Sequence, residues 1–186
     1  MNMRSGWLIV PILGLIVGVL TSGEPAGAQR PGADGPAPEF THQARDEWIN
    51  SGPLSLKVLR GNVVLIDFWT FDCWNCYRSF PWLNQLDGRF AGQGLRIIGV
   101  HSPEFRNERE PQRVAAKVRE FGLGHPVMID NDFSYWKAIN NRYWPAFYLV
   151  DKRGQLRYRF AGETHVGDRR ALEIESRIGE LLAEQP

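Results

Sequence analysis

Cysteine is almost missing from this chain. Cys73 and Cys76 are the only two in 186 residues, which excludes a disulfide framework as the source of stability. Neither sign of charge is in excess: Lys and Arg total 22 against 21 Asp and Glu, so there is no basic field to attract nucleic acid and no acidic tail. The sequence contains no glycine-rich phosphate loop and no nucleophile elbow. His42, His101, His125 and His165 stand singly, without the paired spacing of a structural zinc site, and are expected at the surface or in loops. Asp130, Asp132 and Ser134 match the first positions of a calcium loop, but Tyr135 stands where the sharp turn needs glycine and Asn141 where the bidentate glutamate belongs. No metal and no cofactor is expected.

What remains is an ordinary globular composition, with 43% hydrophobic, 12% aromatic and 23% charged residues, enough for one core and one main domain. The N-terminus departs from it. Arg4 precedes an apolar run over residues 7–20, and Glu24-Pro25-Ala26-Gly27-Ala28 ends in the small-x-small pattern of a cleavage site. The run is shorter than the ~20 residues of a spanning helix and includes Pro11. Residues 1–28 are therefore expected to be a secretory signal peptide, with a membrane anchor through residues 7–20 as the alternative. Either places the rest of the chain outside the cytoplasm, periplasmic or secreted. Residues 29–39, rich in Pro and Gly, are expected to be a flexible linker, and residues 40–186 the folded domain.

Within that domain, strand and helix patterns alternate. Val63–Trp69 reads as a buried strand, and Trp74–Phe90 as a helix with Phe80, Leu83, Leu86 and Phe90 at helical spacing and a kink at Pro81. Leu95–Val100 is a second buried strand, Glu110–Phe121 a helix, Pro126–Ile129 a short strand and Phe133–Asn140 a short helix. Ala146–Val150 and Gln155–Phe160 form a hairpin through Asp151-Lys152-Arg153-Gly154, and Asp168–Ala183 closes the chain as an amphipathic helix. The class is α/β.

The two cysteines stand two residues apart, just after the first long strand and at the start of a helix, which is the layout of a redox centre. A bridge across so short a loop would stabilise the fold by only about 2 kcal/mol and would tie no distant parts together. Stapling does not explain it.

With these motifs the chain resembles the thioredoxin fold, a central mixed β-sheet flanked by helices. Within that fold it is similar to the extracytoplasmic TlpA/ResA-like proteins and to the C-terminal thioredoxin domain of DipZ-type proteins. The resemblance rests on DFWTFDCWNC at residues 67–76, Pro81, YWPAFYLVD at 143–151 with its hairpin and helix, and WINSGPLSLKVLRG at 48–61 as an N-terminal extension. It implies a thiol-disulfide oxidoreductase, working as a reductase on disulfides of exported proteins, with electrons from a CcdA/DsbD-like membrane protein and a place in cytochrome c maturation. An oxidase or isomerase, and a non-catalytic metal-binding module on the same fold, are the alternatives. Cys73 at the helix end would be the attacking nucleophile and Cys76 the resolving thiol. Spacing alone leaves Asp67 as a strand-edge or capping carboxylate; the resemblance makes it the buried acid that exchanges a proton with Cys76. It also makes Pro145 a cis proline facing the cysteines, with the backbone of Trp144 available to an extended substrate. Trp74 and Trp144, with Trp69 if it is not core, would form an apolar docking rim. Trp74-Asn75 between the cysteines departs from the Gly-Pro of thioredoxins, so no reduction potential carries over. Thr70-Phe71-Asp72-Cys73 mimics the T-x-x-C of peroxiredoxins, but Ile66 stands where their proline is expected.

Overall fold

The protein is described by a computed structural model covering Met1 and residues 35–185, so the expected signal peptide and most of the linker lie outside the described residues. Among these residues no helix is long and apolar enough to cross a membrane. Seven strands form one mixed sheet: β1 (Gly35–Pro36), β2 (Trp48–Ile49), β3 (Val63–Trp69), β4 (Leu95–His101), β5 (Val127–Ile129), β6 (Ala146–Val150) and β7 (Gln155–Ala161). Their order is β1-β7-β6-β3-β4-β5-β2. β3 is parallel to β4 and antiparallel to β6, so it lies at the centre, and all seven of its residues are buried. A strand covered on both faces reads as a continuous apolar run, which is why VVLIDFW is legible as one. Gly35–Pro36 pairs with β7, so the sheet takes in the end of the segment whose composition predicts linker.

Alternation along β3 sends Val63, Leu65 and Trp69 to one core, shared with α1 (Trp74–Phe90), α2 (Pro111–Glu120) and α4 (Arg169–Ala183). Val64, Ile66 and Phe68 point to a second core, closed by α3 (Ser134–Ala138) and the N-terminal extension through Phe40, Trp48 and Leu56. Pro81 sits inside α1 without ending it. The hairpin turn forms as expected: Asp151 Oδ1 accepts from the amides of Arg153 (2.9 Å) and Gln155 (2.8 Å), and Gly154 supplies a φ of 74°.

Asp168 caps α4, accepting from Ala171 N (2.7 Å) and His165 N (2.7 Å). Burial works to raise its pKa, but these amides outweigh it and hold the carboxyl below its ordinary value. A depressed carboxylate contributes stability above its unfolded pKa and loses it as pH falls through the folded one. Asp168→Ala should therefore cost about 1 kcal/mol in urea unfolding at pH 7, and less once the wild-type carboxylate is protonated in acid.

Candidate active site

The end of β3 and the start of β6 emerge at the same edge, because Phe68 stands opposite Ala146 in an antiparallel pair. The connector Thr70–Asp72 and the residues before Ala146 are thereby brought to one place. Cys73 caps α1, its Sγ accepting from Cys76 N at 3.2 Å. Cys73 and Cys76 are joined in a disulfide with Cα atoms 5.3 Å apart. Cys73 is half-buried and Cys76 fully buried, an asymmetry that follows from one lying at the helix end and the other a turn inside. The first turn of a helix presents unpaired amides and the positive end of its dipole, which stabilise a thiolate at Cys73 when the pair is reduced.

Beneath α1, period-two alternation puts Asp67 on the same face of β3 as Leu65 and Trp69. It is 1% exposed, Oδ2 has no hydrogen-bond partner, and burial pushes its carboxyl up to about 8. A carboxyl of that kind can hold a proton or release it near neutral pH. Opposite Asp67 on β4 stands Gly99, where a Cβ would come within 3.0 Å of Trp69 Nε1 and 3.2 Å of His125 Nε2. A side chain there would press on the indole and the imidazole, which would have to shift by a few tenths of an ångström.

The Trp144–Pro145 peptide bond is cis, and Pro145 is buried. Trp144 is half-buried, packed on Trp136 with ring centroids 4.2 Å apart, and donates Nε1 to Ser102 O at 3.0 Å. Trp74 is 68% exposed beside Cys73, and Tyr143 and Phe105 are also exposed. Trp69, by contrast, is fully buried and belongs to the core.

Three histidines are not where a surface or loop placement puts them: His42, His101 and His125 are buried. β4 runs one residue past Val100, pairing His101 with Trp69 and Ile129 and carrying its ring inside. Burial lowers His101 to about 3 and His125 to about 4, so both rings are neutral at physiological pH. His42 Nε2 lies 3.1 Å from Asp130 and 3.3 Å from Asp132, and its Nδ1 lies 2.8 Å from Glu47. This is the one cluster of metal-ligand type among the described residues, and it contains neither cysteine. Asp130 already accepts from Tyr135 N, Trp136 N and Ser102 Oγ, which makes the cluster a joint between α3, the loop after β4 and the N-terminal extension.

The model of the AhpC/TSA family matches residues 33–159. The chain belongs to that family. Among curated proteins, DipZ of Mycobacterium tuberculosis is 42% identical over 119 residues, 62% of this chain but only 17% of DipZ. The chain thus spans a small part of that relative. The thiol-disulfide oxidoreductase YkuV of Bacillus subtilis is 29% identical over 149 residues, 80% of this chain and 95% of YkuV. The solution structure of a thioredoxin-like protein in its oxidised form superposes with a TM-score of 0.69 at 28% identity, covering 82% of this chain and 98% of the other. The architecture is the thioredoxin fold, as the CxxC and aromatic-proline motifs predict.

Glu108 goes unnoticed in the sequence. It is fully buried and accepts from Thr70 Oγ1, Asp72 N, Glu104 N and Phe105 N. It stands in the polar stretch PEFRNERE, where no periodicity separates it from exposed neighbours. The threonine of the T-x-x-C motif gives its hydroxyl to this carboxylate.

Proposed function

We propose that this chain is a thiol-disulfide oxidoreductase that reduces disulfides in exported proteins, outside the cytoplasm. The observation that carries the reading is a cysteine pair at the amide end of α1, on the sheet face that holds a buried, unpartnered Asp67. In the reduced protein the Cys73 thiolate attacks a client disulfide, forming a mixed disulfide and expelling a client thiolate. In the fraction of molecules whose Asp67 is ionised near neutral pH, its carboxylate takes the Cys76 proton, and the Cys76 thiolate attacks Cys73 sulfur. The client leaves with two thiols and the protein keeps the Cys73–Cys76 disulfide, the state the structure holds. Two electrons and two protons pass to the client. A CcdA/DsbD-like membrane protein returns them, and cytochrome c maturation is one process such a reductase serves.

Trp74, Trp144 and Pro145 are the substrate-binding residues in this scheme. Trp74 offers an exposed apolar face, and Trp144 is fixed by its hydrogen bond to Ser102 O and its packing on Trp136, which in this scheme holds its backbone ready to pair with an extended client. The N-terminal features of residues 1–28 and the family likeness to DipZ support the compartment. Nothing in this scheme calls for nucleic acid, a metal or a cofactor.

Equilibration in glutathione buffers tests the direction of electron flow. A reductase should show a potential well below the poise of its compartment, with Cys73 and Cys76 oxidised across ordinary glutathione ratios. A potential above that poise would replace the reductase with an oxidase or isomerase. Trp74→Ala should weaken reduction of protein clients several-fold through KM while leaving exchange with oxidised glutathione, which has no apolar segment to dock, less affected; steady-state kinetics on the two substrates checks it.

A further inference from the structure

Glu108 is 0% exposed although the residues on both sides of it in the loop are exposed. Burying a carboxylate is costly unless donors replace its water. Here four do. Oε1 accepts from Thr70 Oγ1 (2.5 Å) and Asp72 N (2.9 Å), while Oε2 accepts from Glu104 N (2.7 Å) and Phe105 N (2.6 Å). Two of these donors belong to Glu108's own loop. The other two belong to the connector that delivers Cys73.

The same stretch of chain grips every residue of that connector. Phe71 stacks on His101 with centroids 5.6 Å apart, and the Arg113 guanidinium lies 5.3 Å from its ring centre. Asn107 Nδ2 donates to Asp72 Oδ2 at 2.8 Å, and Ser102 N donates to Trp69 O at 3.2 Å. Cys73 follows at once, its amide donating to Thr70 O at 3.4 Å. Connections are ordinarily the loosest part of a fold, yet this one is bonded or stacked at each position.

We propose that Glu108 is a positioning residue for the nucleophile: by holding Thr70 and Asp72 on one oxygen and its own loop on the other, it keeps Cys73 in register over the first amides of α1. This assignment rests on the oxidoreductase reading. All four partners are donors, so a carboxylate suits the place and a glutamine does not, because its amide N–H groups would face two of them.

The test is the pH dependence of Cys73 alkylation in the reduced protein, with thermal unfolding and exchange with oxidised glutathione measured alongside. Glu108→Gln should move the alkylation midpoint to higher pH and slow alkylation at pH 7 by about tenfold, because the thiolate loses its amide partners. Thr70→Val should shift the midpoint the same way by less, and Thr70→Ser, which keeps the hydroxyl, should restore it. These two variants carry the test if Glu108→Gln does not fold. A lower melting temperature with an unchanged midpoint would make Glu108 a structural residue, and a midpoint that falls would mean that its charge acts on Cys73 in place of its bonds. Either result overturns the proposal. A wild-type protein that alkylates at Cys73 but does not exchange with glutathione would instead overturn the oxidoreductase reading, with the effect of Glu108 still measured.

Discussion

Cys76→Ser is expected to turn the protein into a covalent trap for its clients. The reaction has two displacements, and only the second needs Cys76. Cys73 keeps its place at the end of α1 in the variant, so the first attack proceeds and a client becomes bonded to Cys73 sulfur. Serine cannot displace it, because an alkoxide is not available near neutral pH and oxygen does not form the S–S bond that ends the cycle. Turnover should therefore stop after a single event per molecule. Non-reducing gels of cells producing the tagged variant should show high-molecular-weight complexes that vanish with dithiothreitol. Cys73→Ser should show none, since the buried Cys76 cannot reach a client. Trapping by Cys73→Ser and not by Cys76→Ser would reverse the assignment of nucleophile and resolving thiol. No trapping by either, together with zinc binding that needs both cysteines, would replace the enzyme with a metal module.

Asp67→Asn should raise stability and slow catalysis in the same molecule. Burial pushes the folded carboxyl up to about 8 from an ordinary 3.8. Between those values the folded state holds a proton that the unfolded chain has released, so wild-type stability falls as pH rises from about 4 to about 8 and the full cost is present above that. Asparagine carries no such cost. The gain from Asp67→Asn should be close to zero at pH 4 and grow toward a ceiling of roughly 5 kcal/mol at pH 8 and above. Urea unfolding of the oxidised protein measures it cleanly, because disulfide-bonded cysteines do not titrate. Kinetically, the variant should release mixed disulfides about 100-fold more slowly while the first attack by Cys73 keeps its rate. Stopped-flow separation of the two steps checks this. A pH-independent stability difference, or equal slowing of both steps, would leave Asp67 without a proton-transfer role.

The primary structure determined a great deal here, for reasons that are local. VVLIDFW is legible as β3 because a strand buried on both faces needs an unbroken apolar run, and α1 and α4 are legible because each shows one apolar face at helical spacing. Cys73 and Cys76 are unmistakable as the only cysteines, placed at a strand-to-helix junction. The position of Asp67 was visible, but its spacing did not give its chemistry, which only the family resemblance implied. Spacing offers a capping carboxylate equally well, and only the packing of α1 over that face of β3 removes its water and lifts its pKa. His101 and His125 look like loop residues because the apolar run of β4 stops before the one and a turn surrounds the other. Strand pairing and the missing side chain of Gly99 draw both inside. Glu108 is the extreme case. Its donors come from Thr70 and Asp72, more than thirty residues away, and from its own loop, so nothing in the local pattern of PEFRNERE distinguishes it from the charged residues around it. Local order follows from propensity and period, which a sequence displays. The environment of a buried polar group is set by residues distant in the chain, and only the tertiary fold brings them together.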